Sequence, residues 1–311
     1  MNNSTAKLIA VGGAKGGIGK SLFVVNMGVL LSQMGKRAVV VDLDLGAANL
    51  HLYMGVWSLK RRIDDFLTKK VPTISDILIP TKYGPQLIGG GGARLGAANI
   101  HFSRKLKLMR SLKTIDADYI IMDMGGDTSY NVLDFYLAAD QGFVLTTCDP
   151  ASYLDAYGFI KLALHRKLTR LFGAESPYRR HRDFDLENLI KSFIFSTTGQ
   201  NHQLRELLER IRNEYPVHHK FIREIIGRFR PATIVTMTED SDQVDALVGR
   251  IKKVSRRMLS IDVDHFGCLP FEKGIQQSAR ELVPHLAKNP GSGFARALRR
   301  IALKMEMVQP R

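Results

Sequence analysis

Residues 7–21 read KLIAVGGAKGGIGKS, and this stretch decides the fold. KLIAVG (7–12) is a β-branched run too short for a helix, so it predicts a strand. From Ser21 the sequence SLFVVNMGVLLSQMG has helical apolar periodicity and stops at Gly35, a glycine stop signal. Between the two lies Gly12-Gly13-Ala14-Lys15-Gly16-Gly17-Ile18-Gly19-Lys20-Ser21. Aligned on Gly19-Lys20-Ser21, the phosphate-loop pattern G-x-x-x-x-G-K-[ST] puts Ala14 where its opening glycine belongs, so the loop is a variant. Its physics survives: Gly16, Gly17 and Gly19, with Ile18 among them, let successive N–H groups turn toward phosphate oxygens. Lys20 then reaches the β- and γ-phosphates, Ser21 offers a hydroxyl to Mg²⁺, and the helix directs its positive end at the anion. ATP with Mg²⁺ is the cofactor this pattern implies.

Outward from the loop, short strands alternate with helices. RAVVVD (37–42), PQLIG (85–89), DYIIMD (118–123), GFVLTT (142–147), KSFIFS (191–196), ATIVTM (232–237) and VDHFGCL (263–269) read as strands. Residues 103–115, 131–139 and 151–168 read as helices, and 199–230 as two amphipathic helices broken near Pro216. This order predicts an α/β, three-layer P-loop fold with a mostly parallel central sheet flanked by helices. We expect one domain over 1–311, carrying a basic insertion around 165–230 and a C-terminal amphipathic helix over 294–308.

Asp42 and Asp44 follow the second strand, at the sheet edge where α/β folds place ligands, and their spacing by two puts both on one side. Two acids there can divide the work, one near Mg²⁺ and one orienting the attacking water. Asp123 closes an apolar strand at the Walker B position, where a carboxylate holds Mg²⁺ through water. Gly125 and Gly126 then let the next segment approach the γ-phosphate.

Composition sets the boundaries. The chain has 311 residues, 45% apolar and 24% charged, within the range of globular proteins. Cys148 and Cys268 match no zinc, iron–sulfur or disulfide spacing. No apolar run is long enough to span a bilayer, and the polar start MNNSTA does not read as a secretory signal. A cytoplasmic setting follows, or a peripheral one at the inner face of the cell membrane. The formal net charge of +15 is uneven: residues 161–230 hold 15 Lys and Arg against 8 Asp and Glu, and 296–311 hold five against one. Such excess suits an anionic partner as well as a solvated face.

The run Lys15-Gly-Gly-Ile-Gly-Lys-Ser resembles the deviant Walker A motif of the MinD/ParA group of P-loop ATPases, with Lys15 at the signature lysine. VVVDLDLGAANLHLYMG (39–55) is similar to the family's switch I stretch. Residues 117–161 are similar to FlhG (FleN)-like and MinD-like members. The resemblance implies an ATP-dependent homodimer that hydrolyses ATP slowly, with Lys15 and Lys20 acting on phosphates, Asp44 positioning water and Asp42 supporting the metal region. It also implies a regulatory protein partner and a spatial or numerical role for flagella or the division site. The chain departs from the family at Met124-Gly125-Gly126-Asp127, and at Thr236, where an adenine-contacting Asn is expected.

Rival readings keep the same loop. The cations of 161–230 suit a ParA-like partition ATPase that holds nucleic acid, and an amidating enzyme would use ATP to activate a carboxylate. Phe294, Leu298, Ile301, Met305 and Val308 form one helical stripe, read either as a last helix packed on the sheet or as an interfacial helix at an anionic membrane. Gly89–Gly92 lack a following Lys-Ser and read as a flexible loop rather than a second phosphate cradle.

Overall fold

A computed structural model of the chain describes residues 6–44, 48–91, 100–173, 176, 178, 181–195 and 204–307. The first unit is β1 (Lys7–Gly12), α1 (Lys20–Gln33) and β2 (Ala38–Leu43). Short elements α2 (Leu50–Tyr53), α3 (Ile63–Leu67), β3 (Ile79–Pro80) and β4 (Gln86–Ile88) follow. Then come α4 (Phe102–Leu112), β5 (Tyr119–Met124), α5 (Tyr130–Ala138), β6 (Gln141–Thr146) and the long α6 (Pro150–Phe172). Three helices, α7 (Phe184–Phe195), α8 (Leu204–Glu214) and α9 (Pro216–Arg228), precede β7 (Ala232–Thr238). The chain continues through α10 (Ser241–Leu259), β8 (Asp264–Pro270), α11 (Lys273–Arg280), α12 (His285–Lys288) and α13 (Gly293–Met307).

The eight strands form one sheet in the order β3-β4-β2-β5-β1-β6-β7-β8, parallel except for the β3–β4 pair. The five central strands, β2, β5, β1, β6 and β7, are buried on both sides along most of their length, as a parallel sheet covered on both faces requires. One face is covered by α1, α2, α12 and α13, the other by α3–α10. α1 is apolar almost all round because it lies between the sheet and α12–α13. Its one fully buried polar side chain, Asn26, donates to the Leu22 carbonyl and accepts from the Leu286 N–H, so that helix α12 is pinned to α1.

Two expectations change here. KSFIFS is not a strand: residues 191–195 are the last turn and a half of α7, whose Leu186, Leu189 and Ile190 are buried at helical spacing. Its β-branched and aromatic residues suit a strand locally, but packing of the apolar stripe against α6 prevails. Gly89–Gly91 are not an open loop either. They are buried, and a Cβ on Gly90 would lie 2.5 Å from Ala48 Cβ and 3.0 Å from Asp42 Cγ; Gly92 is outside the described residues.

The C-terminal stripe packs inward. Phe294, Leu298, Ile301 and Met305 are buried against β8 and α1, and Val308 lies outside the described residues. The apolar stripe that would have met lipid is therefore inside the core, and on α13 only Leu303 and Met307 leave large apolar surface outside. In the basic stretch, α8 offsets part of its own charge through Arg205–Glu209 and Arg210–Glu214 pairs one turn apart.

Candidate functional site

β1 delivers the chain to the loop, and Gly19 caps α1 at φ 87°, a left-handed conformation that only glycine adopts without strain. A Cβ placed on Gly16, Gly17 or Gly19 would meet no atom within 4 Å, so the concave side of the loop is open space. Lys20, at the first position of α1, is buried and donates to the Lys15 carbonyl at 2.8 Å. Burial lowers its pKa, against the opposing pull of Asp123, Asp44 and Asp127.

The acids converge from neighbouring strands. Asp42 on β2 and Asp123 on β5 are register partners, which is why two residues 81 positions apart meet. Asp42 is 1% exposed and accepts the Asp44 N–H at 3.1 Å and the Leu50 N–H at 3.0 Å, one on each carboxylate oxygen. It therefore ties the segment after β2 back to the strand. Burial raises its pKa to about 6, moderated by those backbone bonds. Asp123 is raised further, to about 8, by burial and then by Asp42; a bond with Ser21 opposes this. Its Oδ1 is buried with no hydrogen-bond partner among the described residues.

That unmatched oxygen is the test of whether a cation belongs here. A buried acceptor without a donor is costly, and next to Ser21 it has the chemistry of a divalent-cation site once anionic phosphates complete the shell. The open loop, the buried Lys20 and the Ser21–Asp123 pair fit a Mg–nucleotide. Among the described residues no group of three or more His, Cys, Asp or Glu makes a metal cage from protein alone, so the phosphates would supply the remaining ligands.

The segment after β5 closes over the loop. A Cβ on Gly126 would stand 3.2 Å from the Gly16 nitrogen, and one on Gly125 would stand 3.6 Å from Asp44. A side chain at 126 would crowd the loop backbone at this close approach. Asp127 Oδ1 accepts the Ser129 N–H at 2.9 Å, just before α5, while its charge still acts on Lys20. Lys15 sits at the mouth of the loop, 3.3 Å from Asp149, the N-cap of α6, and both side chains are about half exposed.

Sequence reading missed one part of the site. A cavity of about 300 Å³ opens beside Gly19, between Leu22 and Phe23 of α1, Thr236 and Met237 of β7, and Phe271 and Ile275 beyond β8. Its lining is mostly apolar, suited to a flat base, with the loop at one end. Thr236 does not reach outward as the expected Asn would. Its hydroxyl is buried 2.8 Å from the Ile18 carbonyl and 3.2 Å from the Thr146 carbonyl, fastening β7 to the loop. The sequence signal for this pocket is dispersed over three elements far apart in the chain.

Residues 9–257 match the CbiA family, the CobQ/CobB/MinD/ParA nucleotide binding domain. The chain belongs to that family. Among its relatives are the antiactivator FleN of Pseudomonas aeruginosa, 27% identical over 158 residues (50% of this chain, 56% of FleN), and the flagellum site-determining protein YlxH of Helicobacter pylori, 29% identical over 163 residues (52% of this chain, 55% of YlxH). The chain thus spans little more than half the length of the curated relatives it matches. Family membership agrees with the architecture: the structure of the septum site-determining protein MinD from Pyrococcus horikoshii, complexed with Mg-ADP, superposes with a TM-score of 0.60 over 97% of this chain and 96% of that one. At 16% identity that likeness is one of fold.

Proposed function

We propose that this chain is a Mg-dependent ATPase of slow turnover whose ATP-bound form pairs with a second copy. We read it as a spatial or numerical regulator of flagella, with a regulatory protein as its target. The observation that carries the pairing is the contrast between the two loop lysines. Lys20 is buried and committed to its own loop, whereas Lys15 is held at the rim by one exposed ion pair. Exposed pairs contribute about 0–1 kcal/mol, so Lys15 is available to another subunit's phosphates at little cost. The flagellar reading rests on the likeness to FleN and YlxH.

The roles follow from position. Lys20 and the N–H groups from Gly16 to Ser21 hold the β- and γ-phosphates. The hydroxyl of Ser21 and the carboxylate of Asp123 hold Mg²⁺, while Asp42 keeps the post-β2 segment in register with them. Mg²⁺ held there would neutralise part of the phosphate charge. Asp44, facing Gly125, orients the attacking water. The apolar cavity beside Gly19 takes the adenine. The whole chain 1–311 acts as one unit, peripheral or cytoplasmic.

Blocking hydrolysis tests the reading. With ATP and Mg²⁺, Asp44→Ala is expected to double the 34.8 kDa mass in light scattering, and with ADP to remain a monomer. A monomer under both conditions would remove the pairing step.

A further inference from the structure

The chain has a single tryptophan, and the fold holds it outward. Trp57 lies in the turn between α2 and α3 and is 75% exposed, although tryptophan is on average a highly buried residue type. The turn is anchored on both sides of it. Gly55 leaves α2 at φ 69°, the Val56 N–H donates to the His51 carbonyl at 2.9 Å, and Val56 and Leu59 pack against the core around α1. Leu59 fills the space over Gly89, where a Cβ would lie 2.4 Å from Leu59 Cδ1, and the Ile63 N–H donates to the Gly89 carbonyl at 3.0 Å. With residues 56, 59 and 63 tied inward, the backbone leaves Trp57 and Ser58 outside.

Positive charge surrounds the indole. Residues 55–62 read GVWSLKRR, three cations and no acid, and Lys60 and Arg61 are exposed. Lys82, exposed in the turn between β3 and β4, reaches the same place: its Cε lies 3.2 Å and its Nζ 3.6 Å from where a Cβ on Gly55 would stand. The neighbouring acids are engaged elsewhere. Asp76 accepts the Thr73 N–H and hydroxyl, both at 2.8 Å. Asp65 accepts the Arg62 N–H at 3.0 Å and faces Lys70 at 3.4 Å, and Asp64 lies against Gly91.

Size decides what kind of partner this surface suits. One aromatic side chain buries about 150–250 Å², whereas a stable protein interface takes about 800 Å² from each partner around an apolar centre. Within 55–62 Trp57 is the one large apolar side chain left exposed. A lone indole among cations matches the headgroup layer of an anionic bilayer, where the ring rests at the interface and the cations meet lipid phosphates.

We propose that the turn between α2 and α3 is a contact for an anionic lipid bilayer, with Trp57 entering the headgroup layer and Lys60, Arg61 and Lys82 facing lipid phosphates. The contact is separate from the C-terminal stripe, whose apolar residues lie inside the core. It requires neither the pairing nor the hydrolysis proposed above. It is nevertheless carried on a segment that leaves the nucleotide site, because Asp42 holds the N–H of Leu50, the first residue of α2.

Since Trp57 is the only tryptophan, its emission reports the contact directly. The whole chain is titrated with vesicles of phosphatidylcholine alone and of equal parts phosphatidylcholine and phosphatidylglycerol. Each cation near an anionic surface contributes about fivefold, so the mixed vesicles are expected to bind about 10²-fold more tightly. On them the emission moves to shorter wavelength and is quenched by bromine-labelled lipid. Lys60→Gln combined with Arg61→Gln is expected to weaken binding to the mixed vesicles about 25-fold. Trp57→Ser, read by flotation, is expected to weaken it about tenfold, with Trp57→Phe close to wild type and melting temperatures unchanged throughout. Emission unmoved by the mixed vesicles, equal binding to both vesicle types, or undiminished flotation of Trp57→Ser overturns the proposal. So does a shift produced by a single-stranded oligonucleotide or by polyglutamate and not by vesicles, which would assign the surface to nucleic acid or to an acidic protein.

Discussion

Lys15→Ala is expected to abolish ATP-dependent pairing and to lower ATP turnover by about 10³-fold, the scale of a cationic finger supplied in trans, while the melting temperature stays within about 1 °C of wild type. The two halves of that expectation rest on different observations. Stability is insensitive because the Lys15–Asp149 pair is half exposed at both ends and 3.3 Å long, and because Asp149 keeps its helix-capping bond to the Ser152 N–H without the lysine. Activity is sensitive because Lys20, the other lysine of the loop, is turned into the loop and does not stand in for Lys15 at the rim. Asp149→Ala separates the contributions further. It frees Lys15 but removes the α6 cap, so pairing should persist while stability falls by about 1 kcal/mol. Analytical ultracentrifugation with ATP, beside calorimetric melting, reads both outcomes. Normal pairing and turnover in Lys15→Ala would remove the basis of the proposed switch.

The parts of this site that the sequence made legible are those built from contiguous residues. The strand, glycine loop and helix from Lys7 to Gln33 follow from one short segment, because local turn chemistry and apolar spacing agree there. Asp42 and Asp123 could be placed at strand ends by the same local patterns. Their meeting in register could not, since strand order is a tertiary fact. Asp42 shows the limit: its residue type suggested a place in the metal region, while its two backbone N–H bonds, one to Leu50 eight positions on, depend on how the segment after β2 folds back. The base-sized cavity draws its lining from elements far apart in the chain, so no window of sequence contains its pattern. KSFIFS failed for the opposite reason. Its local preference was strong, and packing on α6 overrode it.

Asp123→Asn should stabilise the ligand-free protein while removing Mg-dependent turnover, which falls by about 10²-fold or more. Asp123 has a folded pKa of about 8 against an unfolded value of about 3.9. A raised acid pKa means the native state binds the extra proton, so stability is fully present below the unfolded value and is lost as pH rises toward 8. The wild-type melting temperature should therefore drop relative to Asp123→Asn across pH 5–8, and the two curves should converge toward pH 4. The amide also removes one member of a buried acid pair, which eases Asp42, itself raised to about 6. The expected gain is several degrees, at about 2–4 °C per kcal/mol for a chain of this size. A cation reverses the same balance. Mg²⁺ beside Asp123 favours its ionised form, so loading Mg-ATP near pH 7 should release close to one proton from the wild type and fewer from the variant. Calorimetry in two buffers of different ionisation enthalpy measures that difference. Equal proton release by both proteins would show that Asp123 does not meet the metal, and the carboxylate that destabilises the empty site would then lack a function to explain it.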